Sequence, residues 1–444
     1  MSTSNTAFRN SIVASLGGFL FGFDTAVISG VETTIQALWS LDKVEHGFTV
    51  ASALLGTVIG SVIAGRPAEA YGRKKVLQGI GLLYLITSLG AALTSSWAFF
   101  IIFRFLGGIG VGASSVVGPM YISEISPAHR RGRLVALFQF NVVTGILIAF
   151  VSNYFLYGVS EDSWRWMLGV QAFPSLFFFI MVFVVPESPR WLMKKKRVEE
   201  ARIVLQSVGE PDVNGAINSI QQSLEKEEGI SKENLFSKAY RQPIVFAMGL
   251  AIFNQLSGIN AIMYYAPRIF EMTGLAKDTA LLQSVSIGLT NMVFTLLAIL
   301  VIDKFGRKTL LMIGSVGMVF CLGMVAKTFY TQDFGSYWVM VYLIGFIAFF
   351  AFSQGAVIWV FISEIFPNSI RAKGQALGSF THWVMAAAIS WTFPIFAQSS
   401  KMGGAYAFTL FSVMMFLQFF FTWKVLPETK GKSLEQIQGE VMLH

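Results

Sequence analysis

A single cysteine, Cys321, in 444 residues rules out an intramolecular disulfide, and its apolar surroundings make it a small core residue. Four scattered histidines give no metal-ligand spacing, so neither a metal nor another cofactor is expected. Charge is scarce as well: Asp, Glu, Lys and Arg make up 13% of the chain, against about 25% in soluble proteins. With 54% hydrophobic residues, a soluble fold is excluded. No nucleophile–base pair or nucleotide loop stands out, so the chain reads as neither an enzyme nor an ATP-driven pump. The run GGIGVG at Gly107–Gly112 lacks the strand–helix context of a dinucleotide site; its glycines instead suit close helix contact in lipid, as do Gly18, Gly22, Gly56 and Gly60.

What is abundant is apolar sequence. Runs near 12–31, 48–65, 76–96, 98–121, 134–157, 166–186, 243–266, 280–302, 310–329, 337–362, 374–398 and 404–426 predict twelve transmembrane helices. The first run lacks a small-residue cleavage pattern and is expected to remain as an anchor. The only long polar stretch, Pro189 to Arg241, contains RVEEARIVLQSV, which has amphipathic helical spacing. The expected fold is therefore an all-α integral membrane protein. It has an N-terminal six-helix bundle at 1–188, short cytoplasmic helices at 189–242, a C-terminal bundle at 243–430 and a short tail at 431–444. Of the 33 Lys and Arg, only Lys43, Arg165, Arg268, Lys277, Lys327 and Lys401 fall on the side opposite the termini. Both termini are thus expected in the cytoplasm of a plasma (inner) membrane, and the net charge of +8 reflects topology rather than nucleic-acid binding.

Two charges break the apolar runs. Asp24 lies near the middle of IVASLGGFLFGFDTAVISGV and Arg104 two helical turns into another run. Ionisable groups at that depth are costly and face partners or cavities. Opposite charges on separate helices predict one shared site. A carboxylate can shed its proton and a guanidinium cannot, so Asp24 is the candidate proton carrier and Arg104 the fixed charge that tunes it.

The halves repeat one another. EAYGRK at Glu69–Lys74 returns as DKFGRK at Asp303–Lys308, SEISPAHRRGR at Ser123–Arg133 as SEIFPNSIRAK at Ser363–Lys373, and PESPR at Pro186–Arg190 as PETKG at Pro427–Gly431. Duplicated six-helix halves related by pseudo-two-fold symmetry mark a transporter built on parallel repeats. Glu124 with Arg131 and Glu364 with Arg371 span helix ends, beside Arg73 and Arg307. With Glu187 and Glu428 they form a candidate cytoplasmic charge network, expected to hold an outward-facing state. In FNQLSGINAIMYYAP, Gln255 and Asn260 offer the donors and acceptors a neutral polyol needs, while Gly258 and Pro267 let the helix unwind. Tyr264 and Tyr265 suit an extracellular gate. Gln139 and Asn291 add amides, and Trp359 and Trp383 add rings that could stack on a sugar.

These segments, with FGFDTAVISG, RFLGGIGVG, VPESPRWL and VPETKGKSLEQI, resemble the sugar porter branch of the major facilitator superfamily over nearly the whole chain. The resemblance implies alternating access by rocking of two bundles. It places Phe21, Gln139, Asn254, Gln255, Asn260, Asn291, Trp359 and Trp383 at sugar-contacting positions. An acid in the first helix paired with a fourth-helix arginine is the pattern of proton symporters, whereas uniporters of the family carry asparagine there. Three positions depart from the pattern: Asn254 stands for a glutamine, Ala356 for a proline that serves a hinge, and His382 for an amide. Ile146 shares a helix face with Gln139; glucose carriers of the family have an aliphatic residue there and xylose carriers a glutamine. The expectation is a proton-coupled hexose symporter, glucose foremost, working as a monomer on a monosaccharide and protons. The alternatives are an uncoupled facilitator, a symporter for xylose, galactose or inositol, and a sugar sensor that signals without transport.

Overall fold

The computed structural model describes residues 3–127, 130–229, 234–334, 337–367, 370–400 and 402–430; the tail at 431–444 lies outside them. The described residues are helical throughout, with no strand among them. Twelve helices among the described residues are long and apolar enough to cross a membrane: Thr6–Gly30, Lys43–Ile63, Arg73–Leu93, Trp97–Ile125, Arg131–Leu156, Ser163–Val182, Lys238–Glu271, Lys277–Ile302, Arg307–Thr331, Trp338–Glu364, Arg371–Ala397 and Gly403–Lys424. The chain is therefore a multi-pass membrane protein. The polar stretch between the sixth and seventh spans forms three short helices, Pro189–Lys194, Val198–Ser207 and Val213–Gly229. Ser188 caps the first of them by accepting from the Trp191 N–H, with Pro189 at the opening position that needs no donor.

By contacts the chain divides into two compact units: one of residues 1–24, 56–146 and 168–233, the other of 25–55, 147–167 and 234–444. Within the first unit, glycines set the helix spacing. Gly22 lies against the Val142 carbonyl and Gly145 against that of Phe19, so the first and fifth spans meet backbone to backbone. Gly56, Gly60 and Gly112 do the same for the second and fourth. Lipid provides no hydrophobic drive between helices, so such close packing must supply the cohesion.

Two spans of the second unit are broken. In the seventh, Gly258 adopts a left-handed conformation (φ +83°) between helices Arg241–Leu256 and Ile259–Glu271, and Tyr265 departs from helical geometry two residues before Pro267. In the tenth, the break falls at Ser353 (φ −116°, ψ −88°), between Trp338–Phe352 and Gln354–Glu364. Ala356 in place of proline therefore does not leave this span straight. Ser353 supplies what the proline would have: its hydroxyl donates to the Phe349 carbonyl at 2.6 Å, satisfying backbone freed by the break.

Candidate functional site

The sequence repeat has a counterpart in backbone geometry. Gly72 (φ +97°, ψ 158°) precedes the third span and Gly306 (φ +88°, ψ 157°) the ninth, a conformation open essentially to glycine alone. Each glycine also leaves room for a carboxylate, and a side chain would collide with Glu187 at one and Glu428 at the other. Glu187 accepts from the backbone N–H groups of Arg73 (2.9 Å) and Lys74 (3.2 Å), and Glu428 from those of Arg307 (3.0 Å) and Lys308 (3.1 Å). Both carboxylates thus sit at the positive end of a helix.

The arginine that follows each glycine turns inward. Arg73, 3% exposed at its side chain, donates through Nε and Nη2 to both oxygens of Glu124 (2.8 and 2.9 Å). It also reaches Glu69 at 2.8 Å and the Ala68 carbonyl at 3.0 Å. In the second unit Arg307 donates to Glu364 at 2.9 Å. Ser188 hydrogen-bonds Glu124 as Thr429 does Glu364. The pairing therefore differs from the one expected from spacing. Glu124 and Glu364 are held by Arg73 and Arg307, not by Arg131 and Arg371. Arg131 is exposed, with no ion pair among the described residues, and Arg371 donates weakly to the Phe366 carbonyl at 3.4 Å. The helix carrying Glu124 ends at Ile125, so a seven-residue interval no longer measures helical turns. Glu69 was not among the expected site residues, although its motif was; burial pushes its carboxyl up, but Lys194 and Arg73 outweigh this and hold it below the ordinary range.

Asp24 and Arg104 meet as expected, with Nη1 2.8 Å from Oδ1 and side chains 9% and 3% exposed. Thr87, Ser88, Gly107 and Gln171 line a small cavity beside the pair. Arg104 Nε and Nη2 are buried without a hydrogen-bond partner among the described residues. The pair is thus one strong bond inside an incompletely satisfied shell, so neutralising either partner leaves the other charge buried and underpaired.

The second unit brings together most of the expected sugar-contacting residues. Gln255 is engaged by its neighbours: its Nε2 donates to Asn254 Oδ1 (2.9 Å) and lies 3.2 Å from a ring nitrogen of His382, while its Oε1 accepts from Asn260 Nδ2 (2.6 Å); Asn254 Nδ2 is buried without a partner among the described residues. His382 packs between Trp359 and Trp383, each 4.9 Å away by ring centroids. Asn291 is buried in the eighth span, with no bond recorded to this cluster. Phe21, Gln139 and Ile146 belong to the first unit; Ile146 is buried and the other two are half-buried.

Tyr264 and Tyr265 are both buried, and the Tyr265 hydroxyl donates to the Ser390 carbonyl at 3.0 Å. Tyr265 packs against Phe393 and presents its ring edgewise to His46. His46 leads to a group that the sequence reading missed: Glu32, just beyond the first span, pairs with His46 at 2.8 Å and Arg268 at 2.9 Å. Burial would raise the Glu32 carboxyl, but Arg268 and then His46 outweigh it and hold it below its ordinary value. Its contribution is thus present above the ordinary carboxylate pKa and is lost only as pH falls through the lowered one.

Residues 10–440 match the family described as "Sugar (and other) transporter". The D-xylose-proton symporter of Escherichia coli (strain K12) is 36% identical, over 98% of this chain and 96% of that one. A glucose transport protein of Synechocystis sp. is 37% identical over 98% of both. Among solved structures, the inward-open conformation of the E. coli xylose transporter XylE superposes with a TM-score of 0.87 at 35% identity, covering 98% of this chain and 100% of that one.

Proposed function

Because the chain belongs to the sugar transporter family of the major facilitator superfamily, a family of transporters rather than enzymes, we propose that it is a proton-coupled monosaccharide symporter working by alternating access. The observation that carries this reading is the buried Asp24–Arg104 pair. A carboxylate and a guanidinium at hydrogen-bond distance, in spans that are otherwise apolar, form a site whose charge changes by one proton while its partner stays fixed. The halves that move are those of the repeat, 1–188 and 243–430, and the excess of Lys and Arg puts both termini in the cytoplasm. The sugar-contacting set is Phe21, Gln139, Ile146, Asn254, Gln255, Asn260, Asn291, Trp359, His382 and Trp383. One copy of the chain holds all of it, so a monomer suffices.

For the substrate we propose an aldohexose, glucose foremost. Ile146 supports this, since an aliphatic group on the helix face of Gln139 offers the sugar no second amide there. A pentose carrier is the second reading, supported by the xylose substrate named for the E. coli transporter that the chain matches both in sequence and in structure. Uptake of labelled glucose into vesicles, with and without an imposed pH gradient, tests both coupling and substrate. Glucose should displace label better than xylose, and Ile146→Gln should shift the ratio toward xylose by about tenfold, the worth of one polar contact. Stronger displacement by xylose or inositol in the parent protein assigns it to the pentose or polyol carriers.

A further inference from the structure

The Glu32 cluster has no part in sugar contact or proton coupling, yet it is among the most thoroughly buried charged groups in the second unit. Glu32 is 1% exposed and His46 0%. The cluster clamps the segment that joins the first and second spans onto elements from the other half of the sequence. Arg268, at the end of the seventh span, donates to Glu32 and, through Nη2, to Gln36 Oε1 at 2.6 Å. Lys277, opening the eighth span, donates to Thr33 and Thr34, both at 2.9 Å. Further along the segment, Lys43 hydrogen-bonds the Gln398 carbonyl, and Trp391 Nε1 donates to the Val44 carbonyl at 3.1 Å.

These ties are polar, so water can replace each when the segment lifts; the contact of Phe48 with Trp391, 5.1 Å between ring centroids, is an apolar addition to them. Inside the closed cluster, by contrast, Glu32 and Arg268 depend on one another, because a buried charge stripped of its partner is strongly disfavoured. The Glu32–Arg268 pair therefore has two good states, paired or hydrated, and poor ones in between. The cluster is also connected to the gate, since the His46 ring packs on Tyr265 at 5.9 Å between centroids.

We propose that Glu32, His46 and Arg268, seconded by Lys277 on Thr33 and Thr34, form the latch that holds the outer end of the carrier shut and must break before sugar enters from outside. This rests on the alternating-access reading above. The latch is a positioning device: it touches no sugar and sets the fraction of carriers open to the outside.

The test uses the full-length protein reconstituted in vesicles, with Cys321→Ser and one reporter cysteine at Ala261, which is 0% exposed and two turns before Arg268 on the same helix. Its rate of labelling by a membrane-impermeant maleimide from outside is measured with and without glucose. Glu32→Gln and Arg268→Gln should each raise the rate about tenfold to a hundredfold over the parent, and the double variant no further than the larger single effect. Labelling at the parental rate in both single variants overturns the latch, as does a double variant whose effect is the product of the two. If either variant fails to reach the membrane, Arg268→Lys takes its place. It keeps the charge but loses the fork, so a small rise is expected and a parental rate overturns the proposal. A parent whose labelling does not respond to any of glucose, xylose or galactose would count against the transport reading instead, and the two failures are thereby told apart.

Discussion

Asp24→Asn should retain sugar counterflow close to the parent rate and lose accumulation driven by a pH gradient. The amide has nearly the shape of a protonated carboxyl, so the variant is fixed in the proton-loaded form. Arg104 Nη1, 2.8 Å from Asp24 Oδ1 in the parent, then faces a neutral oxygen, and the ion pair no longer ties the first span to the fourth. Exchange needs only that the loaded carrier reorient, and it survives. Concentrative uptake needs an empty carrier that differs in charge from the loaded one, and it does not. With one proton per sugar, one unit of ΔpH sustains about tenfold accumulation; the variant should fall to about equal concentrations inside and out. The measurement is counterflow beside pH-driven uptake in the same vesicles. A variant that still concentrates sugar removes Asp24 as the coupling group and leaves a facilitator. Arg104→Gln should be harsher, because it strands a buried carboxylate.

Arg73→Ala should cost about 3–5 kcal/mol of stability, the range for removing one partner of a buried pair. The guanidinium is shared by Glu124, Glu69 and the Ala68 carbonyl, and it lies at the N-terminus of the third span beside Glu187. Its loss leaves Glu124, 9% exposed, facing only the Ser188 hydroxyl. Arg73→Lys restores the charge but not the two-pronged bond to Glu124, and should recover only part of the loss. Adding Glu124→Gln to Arg73→Ala should recover more, since the orphan is then neutral. Thermal unfolding of the purified protein in detergent checks the order. Equal melting temperatures for Arg73→Ala and the parent would reduce the cluster to a topological signal.

These two sites were unequally legible in the sequence. Asp24 and Arg104 stood out because each is a lone charge inside an apolar run, where chance placement is costly, and opposite signs indicated a pair. The twelve spans and the duplicated halves were legible for the same reason, since long apolar runs admit few alternatives. Glu124 and Glu364 were recognised but given the wrong partners: spacing along one chain favours Arg131 and Arg371, whereas the arginines that arrive come from another loop, turned inward by Gly72 and Gly306. Glu32 and Arg268 were passed over because a charge at the end of a span is unremarkable in sequence. What sets them apart is burial, which depends on which helix ends meet. The break at Ser353 was hidden because no proline marks it in the sequence, and a serine bonding back to its own helix is a much weaker signal.

The amide cluster around Gln255 has a consequence for selectivity. On the proposed sugar contact, Asn254, Asn260 and His382 already engage the Gln255 amide, so a hydroxyl arriving at Gln255 trades places with a protein group, whereas Asn254 Nδ2, buried without a partner among the described residues, is open to it. The net gain per hydroxyl is then the small difference between two comparable bonds. When a sugar lacks one hydroxyl, the amides can close on Gln255 again and create no new orphaned dipole there. A site whose amides were all unpaired would reject deoxy and epimeric sugars steeply, whereas hydroxyls read by Gln255 should be graded more gently. Breadth of substrate and readiness to let go of it therefore share one cause, and a carrier that must release its cargo at every turn is served by both.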